Sequence, residues 1–263
     1  MSDRGLAVVT GASSGIGYEL ARLCAERGYD LVVAADEPEI AAAAQRLRQT
    51  GAQVRDIVAD LSTTSGVEAL HRLARDFSRP VDVLIANAGC SFAGAVLDLE
   101  FPKVRRVVDT NVTGTVYLLH LIGRDMRARG AGRIMIVGSV AGYMPGPFNA
   151  VYNASKAFIN SFAAALRNEL SDSRVSVTCL IPGATETEFF RRAGMLETRM
   201  GRSEKDPPSK VALDGFEAMM RGDGAIVSGW YNKGLALVAQ ISPAPFLARV
   251  HRWILWPKSA ARG

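Results

Sequence analysis

The chain has 263 residues, of which 48% are hydrophobic and 22% charged, with a net charge of +5. That length holds one α/β domain or two small ones, and the apolar share is ample for a core. The basic excess is modest, and arginines such as Arg46, Arg72, Arg105 and Arg127 are spread over helical segments, with no aromatic-interleaved basic groove, so nucleic-acid binding is not expected.

Residues 6–10 form a short apolar run bounded by glycine and read as a buried strand. Gly11, Gly15 and Gly17 follow, and Ile16, Leu20, Leu23 and Cys24 recur at helical spacing. A strand, a glycine turn and a helix N-terminus make a pyrophosphate site: glycines admit phosphates close to the backbone, and the helix end offers free N–H groups and its positive dipole end. The spacing is Gly-xxx-Gly-x-Gly, not the commoner Gly-x-Gly-x-x-Gly. A second strand, residues 31–35, ends in Asp36, near the position expected of a carboxylate that binds adenosine ribose hydroxyls. Glu37 follows, no Arg or Lys adjoins the pair, and Ser14 stands where a basic residue would meet a 2′-phosphate. NAD(H) is therefore expected over NADP(H); capping of the next helix is a second role open to Asp36.

Further short apolar runs at 54–59, 81–86, 134–137, 175–181 and 225–228 alternate with longer helical patterns, including the alanine run 41–44. Seven strands in this alternation predict a parallel sheet covered on both faces, a three-layer, Rossmann-type doubly wound α/β fold in a single domain over 1–263. Ser139 follows the fifth strand, and Tyr152 and Lys156 stand at i and i+4, so both leave one helix face. A free tyrosine, with a pKa of about 10, is a poor base at neutral pH, and a cation one turn away is expected to lower that value. With Ser139 donating a hydrogen bond to a nearby carbonyl oxygen, the three make a candidate acid/base centre.

Cys24, Cys90 and Cys179 are odd in number, lack pair spacing and sit in or beside apolar elements, as free thiols in a reducing compartment would. The chain enters its first strand almost at once, and no run reaches the ~20 apolar residues that span a bilayer, so cytoplasmic placement is expected. His71, His120 and His251 are scattered and acidic clusters are absent, so no metal site is expected.

Together these residues resemble the short-chain dehydrogenase/reductase family, in its single-domain, non-extended branch, over nearly the whole chain. Thr10-Gly11-Ala12-Ser13-Ser14-Gly15-Ile16-Gly17 is similar to the family's cofactor motif, Asp60-Leu61 to its adenine-contacting pair, and Asn87-Ala88-Gly89 to its Asn-Ala-Gly signature. Asn111 resembles the asparagine that completes a catalytic tetrad with Ser139, Tyr152 and Lys156; Pro182-Gly183, Thr185 and Thr187 resemble the segment lying against the nicotinamide. The resemblance implies that Tyr152 exchanges a proton with the substrate oxygen and that Lys156 lowers the Tyr152 pKa and binds the nicotinamide ribose. It implies that Ser139 polarises the carbonyl and that Asn111 holds a water linking Lys156 to solvent. Read alone, Asn111 suits the cap of an apolar helix beginning there, and Thr187 a cap before Glu188.

The resemblance also implies a substrate lid at about 184–208. It holds Phe189, Phe190, Met195, Leu196 and Met200 among Arg191, Arg192 and Arg199. Cys90, Phe92, Val140, Met144, Pro145 and Phe148 are expected to face the same cleft from other loops. That mostly apolar lining suits a hydrophobic secondary alcohol or ketone of steroid, fatty acyl or aromatic type, and the lid aromatics equally suit a small core of the lid's own. The expected activity is hydride transfer between NAD(H) and such a substrate. The alternatives are an NADPH-dependent 3-oxoacyl thioester reductase and a non-catalytic dinucleotide-binding sensor. Helices 111–129 and 152–171 carry apolar surface (Leu118, Phe158, Phe162, Leu166) that relatives pair, so a homodimer or homotetramer is expected.

In the tail, about 231–258, Leu235, Leu237 and Val238 suit one short helix, broken by Pro243 and Pro245. A second helix then carries Phe246, Leu247, Val250, Trp253, Ile254 and Trp256 as an apolar stripe, with Arg249, Arg252 and Lys258 opposite. The stripe is expected to cover the domain's own edge or a sister subunit; a membrane surface is the alternative for a basic, tryptophan-bearing amphipathic helix.

Overall fold

Successive side chains of a strand point to opposite faces, and this chain fills both faces with apolar groups. In β1 (Gly5–Thr10), Leu6 and Val8 belong to one core, and Ala7 and Val9 to the other. The computed structural model describes residues 4–256. After β1 come α1 (Gly15–Glu26), β2 (Tyr29–Ala35), α2 (Ile40–Arg48), β3 (Val54–Val58), α3 (Thr64–Arg75) and β4 (Val83–Ala86). There follow α4 (Phe101–Val108), a π-helical turn (Asp109–Gly114), α5 (Thr115–Arg129), β5 (Gly132–Val137), a 3₁₀ turn (Val140–Tyr143) and α6 (Ala150–Glu169). The chain continues through β6 (Val175–Ile181), α7 (Phe189–Arg192), α8 (Arg199–Arg202), α9 (Pro208–Arg221), β7 (Ala225–Val227), α10 (Trp230–Ile241) and α11 (Ala244–Leu255).

The seven strands are parallel in the order β3-β2-β1-β4-β5-β6-β7, the doubly wound single-domain sheet expected from the alternation. On one face α1, α2 and α9 bury Leu20, Cys24, Ile40, Leu47 and Phe216; on the other α3, α5 and α6 bury Leu70, Leu118, Ile122 and Ile159. Strand ends follow pairing partners rather than apolar runs. β2 begins at Tyr29 because Tyr29 pairs with Gly5, and β5 begins at Gly132 because Gly132 pairs with Val175. The strand order reverses between β1 and β4, which opens a crevice beyond their C-terminal ends.

Asn111 does not start a helix. The chain is already helical from Phe101, and Asn111 sits in the π turn, a distortion common at functional sites. The turn packs so tightly on the loop after β3 that a Cβ on Gly114 would overlap the Leu61 carbonyl oxygen. Asp36 does not cap α2 either, since Glu39 occupies that position.

Candidate active site

The crevice is a cleft of about 1200 Å³, and the glycine turn forms one wall. Ser14, at the head of α1, makes no side-chain capping bond, so the N–H groups of the first turn face the cleft. Gly17 lets that turn close: a Cβ there would overlap the Gly11 carbonyl oxygen. Asn87 holds the turn from below, its amide donating to the Thr10 and Gly11 carbonyl oxygens at 2.8 and 3.2 Å. The N–H groups of Asn87 and Ala88 both donate to Thr10 Oγ1. Ser13, Ile16, Leu61, Gly89, Pro182, Gly183, Thr185 and Thr187 line the same cleft, and the Gly15 backbone lies against the Thr187 side chain.

The carboxylates at the far end are not free of cations, which corrects the sequence reading. Arg106 on α4 donates to Asp36 Oδ2 at 2.9 Å and lies 3.8 Å from Asp60. Glu37 accepts from Arg192 on α7 and, at 2.5 Å, from Ser13 Oγ. Burial by itself pushes both the Glu37 and Asp60 carboxyls up. Hydrogen bonds from Ser13 and Arg192 outweigh it at Glu37, and those from Ser62 with the Arg106 charge outweigh it at Asp60, so both lie below the ordinary range.

Ser139, Tyr152 and Lys156 all line the cleft, Ser139 just beyond β5 and the other two one turn apart on α6. Lys156 Nζ lies 5.9 Å from the centre of the Tyr152 ring and donates to the Val137 carbonyl oxygen at 2.7 Å. Here too the sequence reading is corrected. Burial pushes the Tyr152 phenol up to about 12, although the nearby Ser139 hydroxyl pulls the other way, and burial pushes Lys156 down to about 8. In so dry a pocket, desolvation outweighs attraction across that distance. Asn111 does not line the cleft. Its amide accepts from the Cys90 N–H at 2.8 Å and donates to the Cys90 carbonyl and to Ser155 Oγ, each at 3.0 Å. The side chain is thus engaged in holding the Gly89-Cys90 loop against α6.

Of the expected substrate-pocket residues, Cys90, Phe92, Val140, Met144, Phe189 and Phe190 reach the cleft; Pro145, Leu196 and Phe148 do not. Phe148 adopts a left-handed φ of 64°, which turns its ring away to pack edge-on against Trp256 at 5.4 Å. Phe190 does both jobs foreseen for the lid aromatics: it touches the cleft and packs with Ala193, Met195 and Leu255.

The tail supplies what sequence reasoning missed. Trp230, Asn232, His251, Trp253 and Ile254 line the cleft. α11 buries Leu247, His251 and Leu255; of the expected stripe only Leu247 is buried, while Phe246, Val250 and Trp253 stay exposed. His251 Nδ1 bonds the Pro147 carbonyl oxygen, and its Nε2 meets the Asn153 amide nitrogen at 3.4 Å. A lone histidine at helical spacing gave a signal only once its neighbours in space were known. Lys258 lies outside the described residues. Asn160, one turn beyond Lys156, was legible as a polar residue in an apolar helix; its amide donates to the Ser139 carbonyl oxygen at 3.0 Å.

The family model for short chain dehydrogenases matches residues 5–196, and the chain belongs to that family. It is 29% identical over 257 residues to a ketoacyl reductase, HetN, of Nostoc sp., covering 94% of this chain and 88% of that protein. A short-chain dehydrogenase of Sphingobium yanoikuyae, solved in complex with NADPH, superposes with a TM-score of 0.78 at 31% identity, covering 85% of this chain and 87% of that one. One from Burkholderia phymatum, solved with NAD, gives 0.82 at 27% identity over 90% and 92% of the two chains. Among the described residues no helix is long and apolar enough to cross a membrane.

Proposed function

We propose that the protein transfers a hydride between NAD(H) and a hydrophobic secondary alcohol or ketone. The observation that carries this reading is the convergence of Ser139, Tyr152 and Lys156 on a cleft into which the uncapped end of α1 also opens. The residues present fit a dinucleotide: the α1 N-terminus suits its pyrophosphate, Asp36 its ribose hydroxyls, and the Pro182–Thr187 segment its nicotinamide. When bound, the nicotinamide supplies or takes the hydride. Tyr152, which holds its proton well above neutral pH, gives that proton to the carbonyl oxygen in the reductive direction. Ser139 donates a hydrogen bond to the same oxygen, and the Lys156 ammonium stabilises the phenolate left behind. Asn111 is a positioning residue, acting through the Cys90 backbone and Ser155.

Asp36 supports NAD(H) over NADP(H) because Arg106, the cation nearest it, is already engaged by two carboxylates. The segment 184–208 serves as the lid, and the tail, packed against it, as an adjoining wall of the substrate pocket. One observation favours a 3-oxoacyl thioester as substrate. Arg199 and Lys205 line the cleft without a carboxylate partner among the described residues, which suits an anionic carrier group. Of the surface expected to pair, Leu118 is buried in the core and only Phe158 is exposed; with Phe101 and Val108 on α4 it supports a homodimer or homotetramer, and three unpaired cysteines suit the cytoplasm.

Tyr152→Phe removes the hydroxyl and keeps the ring against Phe189. Turnover is expected to fall about 10²- to 10⁴-fold while NADH binding, followed by fluorescence, is unchanged. Undiminished turnover contradicts the assignment of Tyr152.

A further inference from the structure

The helices α10 and α11 leave an apolar face in solvent that belongs to neither core. Trp230 is 86% exposed, Ile241 77% and Trp253 62%, and Tyr231, Leu237 and Phe246 are exposed beside them. Phe246, Val250 and Trp253 stand at i, i+4 and i+7 on α11, and Trp230, Leu237 and Ile241 share one side of α10. All three tryptophans of the protein lie in this segment. So do Lys233, Arg249, Arg252, Lys258 and Arg262, whereas no Asp or Glu occurs after Asp223. Lys233, Arg249 and Arg252 are exposed on the same two helices.

We infer that this face docks on an anionic lipid surface, with the cleft mouth turned towards the bilayer. Large exposed apolar side chains ringed by cations are what an interfacial helix presents, and indoles suit the headgroup boundary. A second copy is the poorer occupant. A two-fold contact sets the same patch against itself, so it would bring a wholly basic segment against an identical one with no carboxylate to pair. Lipid phosphates supply the missing charge. The placement also has a use: Trp230, Tyr231, Val250 and Trp253 are both exposed and part of the cleft lining, so an apolar substrate dissolved in lipid meets the pocket without crossing water.

The test uses the purified full chain and contains no catalytic step, so it stands apart from the proposed activity. Co-sedimentation is measured with phosphatidylcholine vesicles and with vesicles that also contain phosphatidylglycerol. The wild type is expected to bind the anionic vesicles at least tenfold more tightly, with affinity falling as salt rises. Ile241→Ser combined with Phe246→Ser alters two exposed residues outside the cleft. It is expected to lose binding about tenfold while melting temperature, mass by light scattering and NADH binding stay those of the wild type. A wild type left in the supernatant with both vesicles, or bound equally to both, overturns the inference. A double variant whose oligomeric mass drops while wild type ignores vesicles assigns the face to a second copy and overturns it as well.

Discussion

Asp36 and Arg106 carry the proposed cofactor preference. The two are 70 positions apart and form a 2.9 Å ion pair in the cleft, where Asp36 is proposed to bind the ribose. Asp36→Ala removes the group proposed to bind the ribose hydroxyls and releases a guanidinium suited to a 2′-phosphate. The ratio of kcat/KM for NADP(H) to that for NAD(H) is expected to rise about 10- to 100-fold; an unchanged ratio contradicts the role given to Asp36. Lys156 makes a pH-dependent prediction. Burial brings its pKa from the ordinary 10.5 down to about 8, so the ammonium is intact below that pH and is lost above it. NADH affinity, titrated by fluorescence, is expected to weaken as pH passes about 8. Lys156→Arg, which stays charged, is expected to remove that break; a break that persists contradicts the role of Lys156. At this scale the glycine turn, Ser139, Tyr152 and Lys156 were legible because their spacing is local. Arg106 and Arg192 were not, because each meets its carboxylate across a long stretch of chain, 70 and 155 positions away. The direction of the Tyr152 pKa was misread for a related reason. Spacing reports the lysine one turn from Tyr152, but not the burial that dominates both groups.

Elements were legible where one face alternates cleanly between apolar and polar. α4 was not: Phe101, Val104, Val107 and Val108 stand at helical spacing, but the helix has only 8 residues and buries only Val107, so the helical stretch was started late, at Asn111. The π turn leaves no periodic trace, since it is defined by its own i→i+5 backbone hydrogen bonds, and only its glycine marks the close approach to Leu61. α10 and α11 were foreseen as two helices broken at the prolines, but of the buried face of α11 only Leu247 was foreseen. Leu247, His251 and Leu255 turn inward because the lid and the 144–149 loop offer them partners there. Ending the chain after Ser242 removes this wall. KM for an apolar substrate is expected to rise about tenfold or more, with NADH affinity within about twofold of wild type. An unchanged KM contradicts the place of α11 in the substrate pocket.

For the whole molecule, strand–helix alternation was enough to read the sheet, because a parallel strand buried on both faces must be apolar throughout and must be followed by a crossover. The reversal of strand order places the cleft between β1 and β4, and motifs far apart in sequence meet there because most of them end strands on the same side of the sheet, with Tyr152 and Lys156 reaching it from α6. What alternation does not encode is how the segments beyond the sheet, α7 to α8 and α10 to α11, fold over that cleft. Their contacts include each other and the loops, and those contacts shape the cleft.

The most direct test of the account is absorbance at the reduced-nicotinamide band over a panel of substrates. Hydroxysteroids and long-chain or aromatic secondary alcohols are offered with NAD⁺ and NADP⁺, and the matching ketones and a 3-oxoacyl thioester with NADH and NADPH. Turnover of an apolar alcohol or ketone is expected, faster with NAD(H), and Tyr152→Phe is expected to lower it about 10²- to 10⁴-fold. Turnover undiminished by Tyr152→Phe, or tight NADH binding with no turnover across the panel, would contradict this reading.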